Sequence, residues 1–172
     1  TPPGSMGAMS IPGISKSRFT DYLECPKLGY MSCHRNRFKH LADPLDWMSL
    51  HLIGEGNRAG QMARDHFPGG RLIGHIWDLA RARADTAKAM SDESVTYLFE
   101  GAFAAEGLLC RVDVLRKIEE GVVDIIEVKA TNNVKSQHLA DVGFQLAVLE
   151  STGLEVRSAS LMHFDPAYFH PG

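Results

Sequence analysis

Three charged residues lie within or at the end of two neighbouring apolar segments of this sequence. Asp113 interrupts one valine-rich segment, and Glu127 and Lys129 follow the isoleucine pair of the next. Side chains of a β-strand alternate between its two faces, so Glu127 and Lys129 share a face. Two carboxylates and an ammonium group in one place can hold a divalent cation and position a water molecule for hydrolysis of a phosphodiester. These three residues are therefore the first candidates for a catalytic site.

The turn between the two segments predicts how they pair. A turn near Gly121 makes the segments an antiparallel hairpin in which Asp113 faces Glu127. Two facing carboxylates repel each other unless a cation lies between them. The register therefore predicts a Mg²⁺ or Mn²⁺ ion held by both carboxylates and the backbone carbonyl of Val128. Lys129 would position the attacking water or hold the substrate phosphate as a point charge.

The elements that must position these residues form a mixed α/β pattern. Capping residues and apolar periodicity predict helices from Ser15 or Ser17 to before Pro26, from Asp46 to His66, over 78–92 and over 135–152. Strands are predicted over 96–105, 108–118, 122–130 and the segment VRSASLMHF. A helix connects the last two strands, so they can lie parallel. The expected fold is a mixed central sheet, an antiparallel meander plus a parallel strand after a crossover helix, flanked by helices.

The helix after the hairpin carries three polar residues on one face. His138, Asp141 and Gln145 lie at i, i+3 and i+7. An apolar stripe is expected elsewhere on this helix, at Leu139, Val142, Leu146 and Leu149. A polar face beside the strand ends would follow the path of a substrate, which makes Gln145 a candidate catalytic residue and His138 a candidate substrate contact. A solvated helix surface is the alternative.

Composition sets the broad class of the protein. The 172 residues, 44% hydrophobic and 23% charged, fit one globular domain, expected over 11–172. Residues 1–10 are small and uncharged, and we expect an expression remnant or a disordered segment there. Three widely spaced cysteines do not form a disulfide framework and favour a reducing cytoplasm. No apolar run is long enough for a membrane span, so no membrane partner is expected.

Positive charge is concentrated near the N-terminus although the whole chain carries a net charge of −3. The stretch 16–40 holds six basic and two acidic residues, a local net charge of +4. A local basic surface on an acidic protein can bind phosphates. The candidate phosphate contacts are Lys16, Arg18, Lys27 and Arg35, and a solvated helix face with a loop is the alternative.

The spacing Asp-x13-Glu-x-Lys, formed by Asp113, Glu127 and Lys129, resembles the core of the PD-(D/E)XK nuclease superfamily. RVDVLRK followed by VVDIIEVKAT is similar to the RecB-like branch of that superfamily, which includes nuclease domains of CRISPR-adaptation proteins. Gln145 matches the glutamine that this branch places on the next helix. The resemblance covers about residues 14–163 and implies a restriction-endonuclease-like fold.

The N-terminal segment SKSRFTDYLECPKLGY is also similar to the opening of that branch, with Tyr22, Cys25 and Pro26 in place. Members with an iron–sulfur cluster anchor it with one N-terminal and three C-terminal cysteines. Cys25 matches the first, but Cys110 is the last cysteine of this chain. Either the protein holds no such cluster or the sequence is a piece of a longer protein. We expect no iron–sulfur cluster from this chain.

The superfamily also implies an acidic residue from an early helix that helps to hold the metal. Glu55 is the candidate, and Glu100 on the first long strand is its rival. Some RecB-like enzymes use a histidine in a Gly-x-x-His setting on this helix, but here Ala63 follows Gly60 at that position. The early-helix ligand is therefore the least determined part of the predicted site.

The resemblance implies a Mg²⁺- or Mn²⁺-dependent deoxyribonuclease, an exonuclease or an enzyme that processes single strands or ends. Its partner would be DNA, single- or double-stranded, and further domains or protein partners are left open. A different class of function uses the same fold as a non-catalytic module that binds nucleic acid or a protein. The acids would then be structural, and metal binding discriminates between the two.

Overall fold

The computed structural model describes residues 13–168, so the expectation for residues 1–10 lies outside the described part. The elements in chain order are β1 (Ile14–Ser15), α1 (Lys16–Glu24), α2 (Pro26–Cys33), α3 (Arg35–Phe38), a 3-10 turn (Lys39–Leu41), α4 (Trp47–His66), β2 (Arg71–Leu72), α5 (Leu79–Ser91), β3 (Tyr97–Ala105), β4 (Leu108–Glu119), β5 (Val122–Val128), α6 (Ser136–Ser151) and β6 (Glu155–Met162).

The strands form one mixed sheet in the order β2-β3-β4-β5-β6, and β1 pairs with β4. β4 is antiparallel to both of its neighbours, β3 and β5, whereas β6 lies parallel to β5 after the helix α6. The α/β class with an antiparallel meander and a parallel strand is therefore confirmed. β5, which carries the candidate site, is bordered on both sides by paired strands.

Tight turns set the register of the meander. Glu106 and Gly107 have φ values of 51° and 78° between β3 and β4, the positive angles that two-residue hairpin turns require. Gly121, with φ 75°, makes the turn between β4 and β5. Val114 pairs with Ile126 in this hairpin. The predicted register is confirmed, and it brings Asp113 next to the end of β5.

The two faces of the sheet are covered by different helices. The larger core lies on the face that α1, α5 and α6 cover, where Ile125 and Val148 are almost fully buried and Phe19 stacks on Phe144 at 5.0 Å. A smaller cluster on the other face includes Ala63 of α4. Glu127 is on the same face of β5 as Ile125, so its side chain faces α1 and α6.

The capping residues begin α1 and α4 at the predicted positions. Ser15 Oγ accepts a hydrogen bond from the backbone N–H of Arg18 at the start of α1, which ends before Cys25. The Asp46 carboxylate accepts from Ser49 N–H at 2.7 Å at the start of α4. The glycines inside α4 do not interrupt the helix, and a Cβ at Gly54 would meet nothing within 4 Å.

The buried face of α6 differs from the predicted apolar stripe. Leu139 is 60% exposed, and the buried residues of this helix are Asp141, Phe144, Gln145, Val148 and Leu149. Asp141 and Gln145, two residues of the predicted polar face, lie against the sheet because their charged partners are there, so the alternative of a solvated helix surface does not apply to them. Among the helices of residues 13–168, none has both the length and the apolar composition of a membrane span.

Candidate active site

Glu127 is the centre of a buried polar cluster at the end of β5. Its side chain is only 2% exposed. Lys16 Nζ lies 2.7 Å and Lys129 Nζ 2.9 Å from Oε1, and Gln145 Nε2 donates to Oε2 at 2.6 Å. A buried carboxylate is stable only when such donors replace its water, so α1 and α6 together make this burial tolerable.

Asp141 extends the cluster along α6. Its Oδ2 accepts a hydrogen bond from Lys129 Nζ, and its Oδ1 accepts one from Thr20 Oγ1 at 3.1 Å. Lys129 is thus held between Glu127 and Asp141. Two carboxylates from different elements fix the position of the ammonium group, which restricts the motion of a side chain that is otherwise flexible.

Asp113 lies beside this cluster on the neighbouring strand. Its Oδ2 accepts a hydrogen bond from the backbone N–H of Val128 at 2.7 Å. Burial, with the negative charge of Glu127 as the next cause, raises the pKa of Asp113 to about 7. The two acids are therefore close enough for the charge of Glu127 to oppose the ionisation of Asp113, as the predicted register required.

Neighbouring groups keep Glu127 and Lys129 ionised although burial opposes both charges. Burial opposes the ionised form of Glu127, but Lys16 and then Lys129 outweigh it and keep its pKa below the usual value. Burial likewise opposes the charged form of Lys129, but hydrogen bonds to Asp141 and Glu127 leave its pKa raised. At neutral pH the cluster therefore contains a carboxylate and an ammonium ion in contact.

The donor set fits a Mg²⁺ or Mn²⁺ ion that takes its remaining ligands from water and substrate. Such ions are commonly held by one or two carboxylates, which Asp113 and Glu127 supply. With Asp141 the cluster holds three carboxyl groups, and Lys16 and Lys129 supply two ammonium groups. The cluster therefore has an excess negative charge when all of these groups are ionised. Gln145 Oε1 is also buried and accepts no hydrogen bond from the described residues. Within residues 13–168, no group of three or more His, Cys, Asp or Glu residues is placed to hold a metal ion.

Neither candidate for the early acid completes a three-residue ligand set in the described structure. Glu55 on α4 forms an ion pair with Arg58 at 3.2 Å. Glu100 has a φ of 59° and lies 3.6 Å from Arg111 Nε, and its charge contributes to the raised pKa of Asp113. The identity of an early-helix ligand stays a prediction.

The predicted phosphate contacts lie in different surroundings. Lys16 points into the cluster, and Arg18 donates to the backbone carbonyl of Gly13. Lys27 and Arg35 are exposed on α2 and α3. His138 Nδ1 accepts from the N–H of Lys135 at the start of α6. Burial, followed by the charge of Lys129, lowers the pKa of His138. Lys16 and His138 are therefore close to the cluster. Contact of these five side chains with DNA stays a prediction.

Lys16 and Thr20 are the site residues that the sequence interpretation did not assign to the cluster. They lie one helical turn apart on α1 and flank Phe19, which packs into the core. Polar residues beside a buried aromatic residue indicate that this helix face covers other polar groups. The spacing of Lys16 and Thr20 on one face of α1 was therefore the sequence feature that could have identified them as site residues. No protein-family model, curated protein or solved structure matches the chain.

Proposed function

We propose that this protein is a metal-dependent nuclease that hydrolyses phosphodiester bonds of DNA. The observation that carries the proposal is the meeting of Asp113, Glu127 and Lys129 at the end of β5, with Lys129 Nζ 2.9 Å from the Glu127 carboxylate. The resemblance to RecB-like PD-(D/E)XK nucleases, with their restriction-endonuclease-like fold, supports the same interpretation. It favours an exonuclease or an enzyme that processes single strands or ends, working in the cytoplasm.

Asp113, Glu127 and the carbonyl of Val128 would hold Mg²⁺ or Mn²⁺. A bound ion of this kind lowers the pKa of water and stabilises the negative charge that develops on the phosphoryl group. Lys129 is charged at neutral pH, so it acts as a donor that positions water or a phosphate oxygen rather than as the base. Gln145 keeps the Glu127 carboxylate oriented through its 2.6 Å hydrogen bond. Asp141 does the same for the ammonium group of Lys129.

The basic residues outside the cluster would bind the DNA backbone. Arg18, Lys27 and Arg35 belong to the N-terminal helices, and His138 is at the start of α6, where the cluster meets the surface. Contacts with phosphates depend on charge and not on base sequence, so binding should weaken as salt increases.

Cleavage of end-labelled DNA with Mn²⁺ tests the proposal. Single- and double-stranded substrates, each with free or blocked ends, separate exonuclease from endonuclease activity. We expect cleavage by the wild-type protein and a loss of at least 100-fold in Lys129→Ala. Lys88→Ala, which removes a mostly exposed lysine of α5, is the matched control and should cleave normally. Absence of cleavage of every substrate by the folded wild-type protein would contradict the proposal.

A non-catalytic binding module is the second candidate, and the surface of α4 favours it. The first half of this helix exposes large apolar side chains, with Trp47 72% and Leu52 63% exposed. A protein partner could cover such a surface. Calorimetric titration with Mn²⁺ separates the two candidates. Failure to bind Mn²⁺, or binding that Asp113→Ala leaves unchanged, would favour the module.

A further inference from the structure

A pocket of about 330 Å³ lies on the opposite face of β5 from Glu127, between α4 and the ends of β5 and β6. Its floor is apolar and includes Ala63 and Met162, which belong to the smaller core cluster. Phe164 and Tyr168 line it as well, and they are 39% and 67% exposed. The pocket therefore combines a buried apolar floor with aromatic rings that are accessible from solvent.

The pocket and the candidate active site share one residue. Lys129 lines the pocket, while its Nζ bonds Glu127 and Asp141 on the other side of the strand. Two backbone hydrogen bonds fix this arrangement, from Lys129 N–H to the carbonyl of Met162 and from Phe164 N–H to the carbonyl of Thr131, each 2.9 Å long. The backbone at Phe164 is therefore held next to the end of β5, and Tyr168 follows in a turn that its N–H closes on the carbonyl of Asp165 at 3.2 Å.

The chemistry of the lining matches a nucleobase. Aromatic rings stack on bases of any sequence, and an apolar floor receives the flat ring. Asp165 adds a carboxylate to the lining, and its Oδ1 accepts a hydrogen bond from Ala167 N–H at 2.8 Å. A carboxylate held in this way can also accept a hydrogen bond from an exocyclic amine of a base.

We propose that this pocket takes one unpaired nucleobase of a DNA strand whose phosphate lies at Asp113, Glu127 and Lys129. Its volume is at the small end of ligand pockets, which suits a single base and not a base pair. A base within a duplex is stacked and paired, so it must leave the helix before it can enter. The inference rests on the proposed nuclease function and deepens it, because it makes single strands or frayed ends the preferred substrate.

Binding without cleavage tests the pocket directly. Fluorescence anisotropy in EDTA would compare a labelled ten-nucleotide oligodeoxycytidylate, whose bases carry an exocyclic amine, with an abasic strand of the same length and a blunt duplex. We expect the oligodeoxycytidylate to bind about tenfold more tightly than either. Tyr168→Ala and Phe164→Ala should each weaken its binding about tenfold, the usual effect of removing a stacking side chain. Tyr168→Phe keeps the ring and should stay within twofold of the wild type.

Trp77→Ala is the control, since Trp77 is 97% exposed and does not line the pocket. Equal binding of the abasic strand, together with no effect of either alanine variant, would overturn the inference. So would binding of the duplex as tightly as the single strand. If the wild-type protein cleaves DNA with Mn²⁺ while both pocket variants bind and cleave normally, only the pocket assignment fails. Base-dependent binding by a protein that cleaves nothing would instead remove the nuclease function and leave the pocket in place.

Discussion

Lys16 Nζ, on the first helix, and Glu127 Oε1, near the end of β5, lie 2.7 Å apart. Lys16 is 24% exposed at its side chain and Glu127 only 2%, so the contact is a partly buried ion pair between parts of the chain that are 111 residues apart. The ammonium group lies on the same carboxylate that would hold a metal ion. We infer that Lys16 neutralises Glu127 when no cation is bound and competes with the cation when one is.

Replacing Lys16 should therefore have opposite effects on metal binding and on stability. In Lys16→Met, Mn²⁺ should bind several-fold more tightly by calorimetry, because no ammonium group competes for Glu127. Without metal, the free energy of unfolding should fall by about 2 kcal/mol, since a buried carboxylate loses a charged hydrogen-bond donor. Lys16→Arg keeps the charge and should resemble the wild type. Unchanged or weaker Mn²⁺ binding by Lys16→Met would contradict the competition.

The raised pKa of Asp113 predicts that the stability of the folded protein depends on pH. This pKa is raised to about 7 in the folded protein, so the folded state holds a proton that the unfolded chain has already lost. The wild-type protein should then lose stability as pH rises from about 4 to 7. Asp113→Asn removes this ionisation and should melt at a higher temperature than the wild type at pH 8.

Thermal melts over the pH range check this prediction. The two melting temperatures should converge below about pH 3, where the wild-type carboxyl is protonated in both states, because the ordinary pKa of this group is 3.8. Addition of Mn²⁺ at pH 8 should stabilise the wild type but have little effect on Asp113→Asn. A variant that melts below the wild type at pH 8 would show that ionised Asp113 stabilises the fold instead.

Gln145 should stabilise the site through its hydrogen bond to Glu127. It is fully buried, so Gln145→Leu leaves a carboxylate oxygen without its donor and should cost about 1–3 kcal/mol of unfolding free energy. Gln145→Glu has nearly the same shape but adds a negative charge beside Glu127, so its stability should be lower at pH 8 than at pH 5. Urea unfolding measures both. Gln137→Leu, on the exposed face of α6, is the matched control and should change little.

Sequence patterns were sufficient for the hairpin that carries the acids. Gly121 fixed the turn, and a slip of one residue from that register would move the apolar residues of one strand to the wrong face of the sheet. The same reasoning failed on α6, where counting apolar residues placed Leu139 in the stripe. Asp141 and Gln145 are buried there because Lys129 and Glu127 bond them, and a pattern within one helix carries no record of such distant partners.

Short elements were also beyond prediction. β1 and β2 contain two residues each, too few for any alternation to be visible. The inward position of Lys16 was also missed, because its charge suggested a surface contact with phosphate. Only the packing of α1 across the sheet shows that this ammonium group is directed inward.

The hydrogen bond from Val128 N–H to Asp113 Oδ2 gives the site a built-in spectroscopic reporter. The amide resonance of Val128 senses the charge on the carboxyl that it bonds, and the same residue carries the carbonyl that would bind the proposed metal ion. In a protein labelled with ¹⁵N, a single cross-peak would therefore follow both the titration of Asp113 and the arrival of a diamagnetic ion such as Mg²⁺. The state of the site can thus be observed without any substrate.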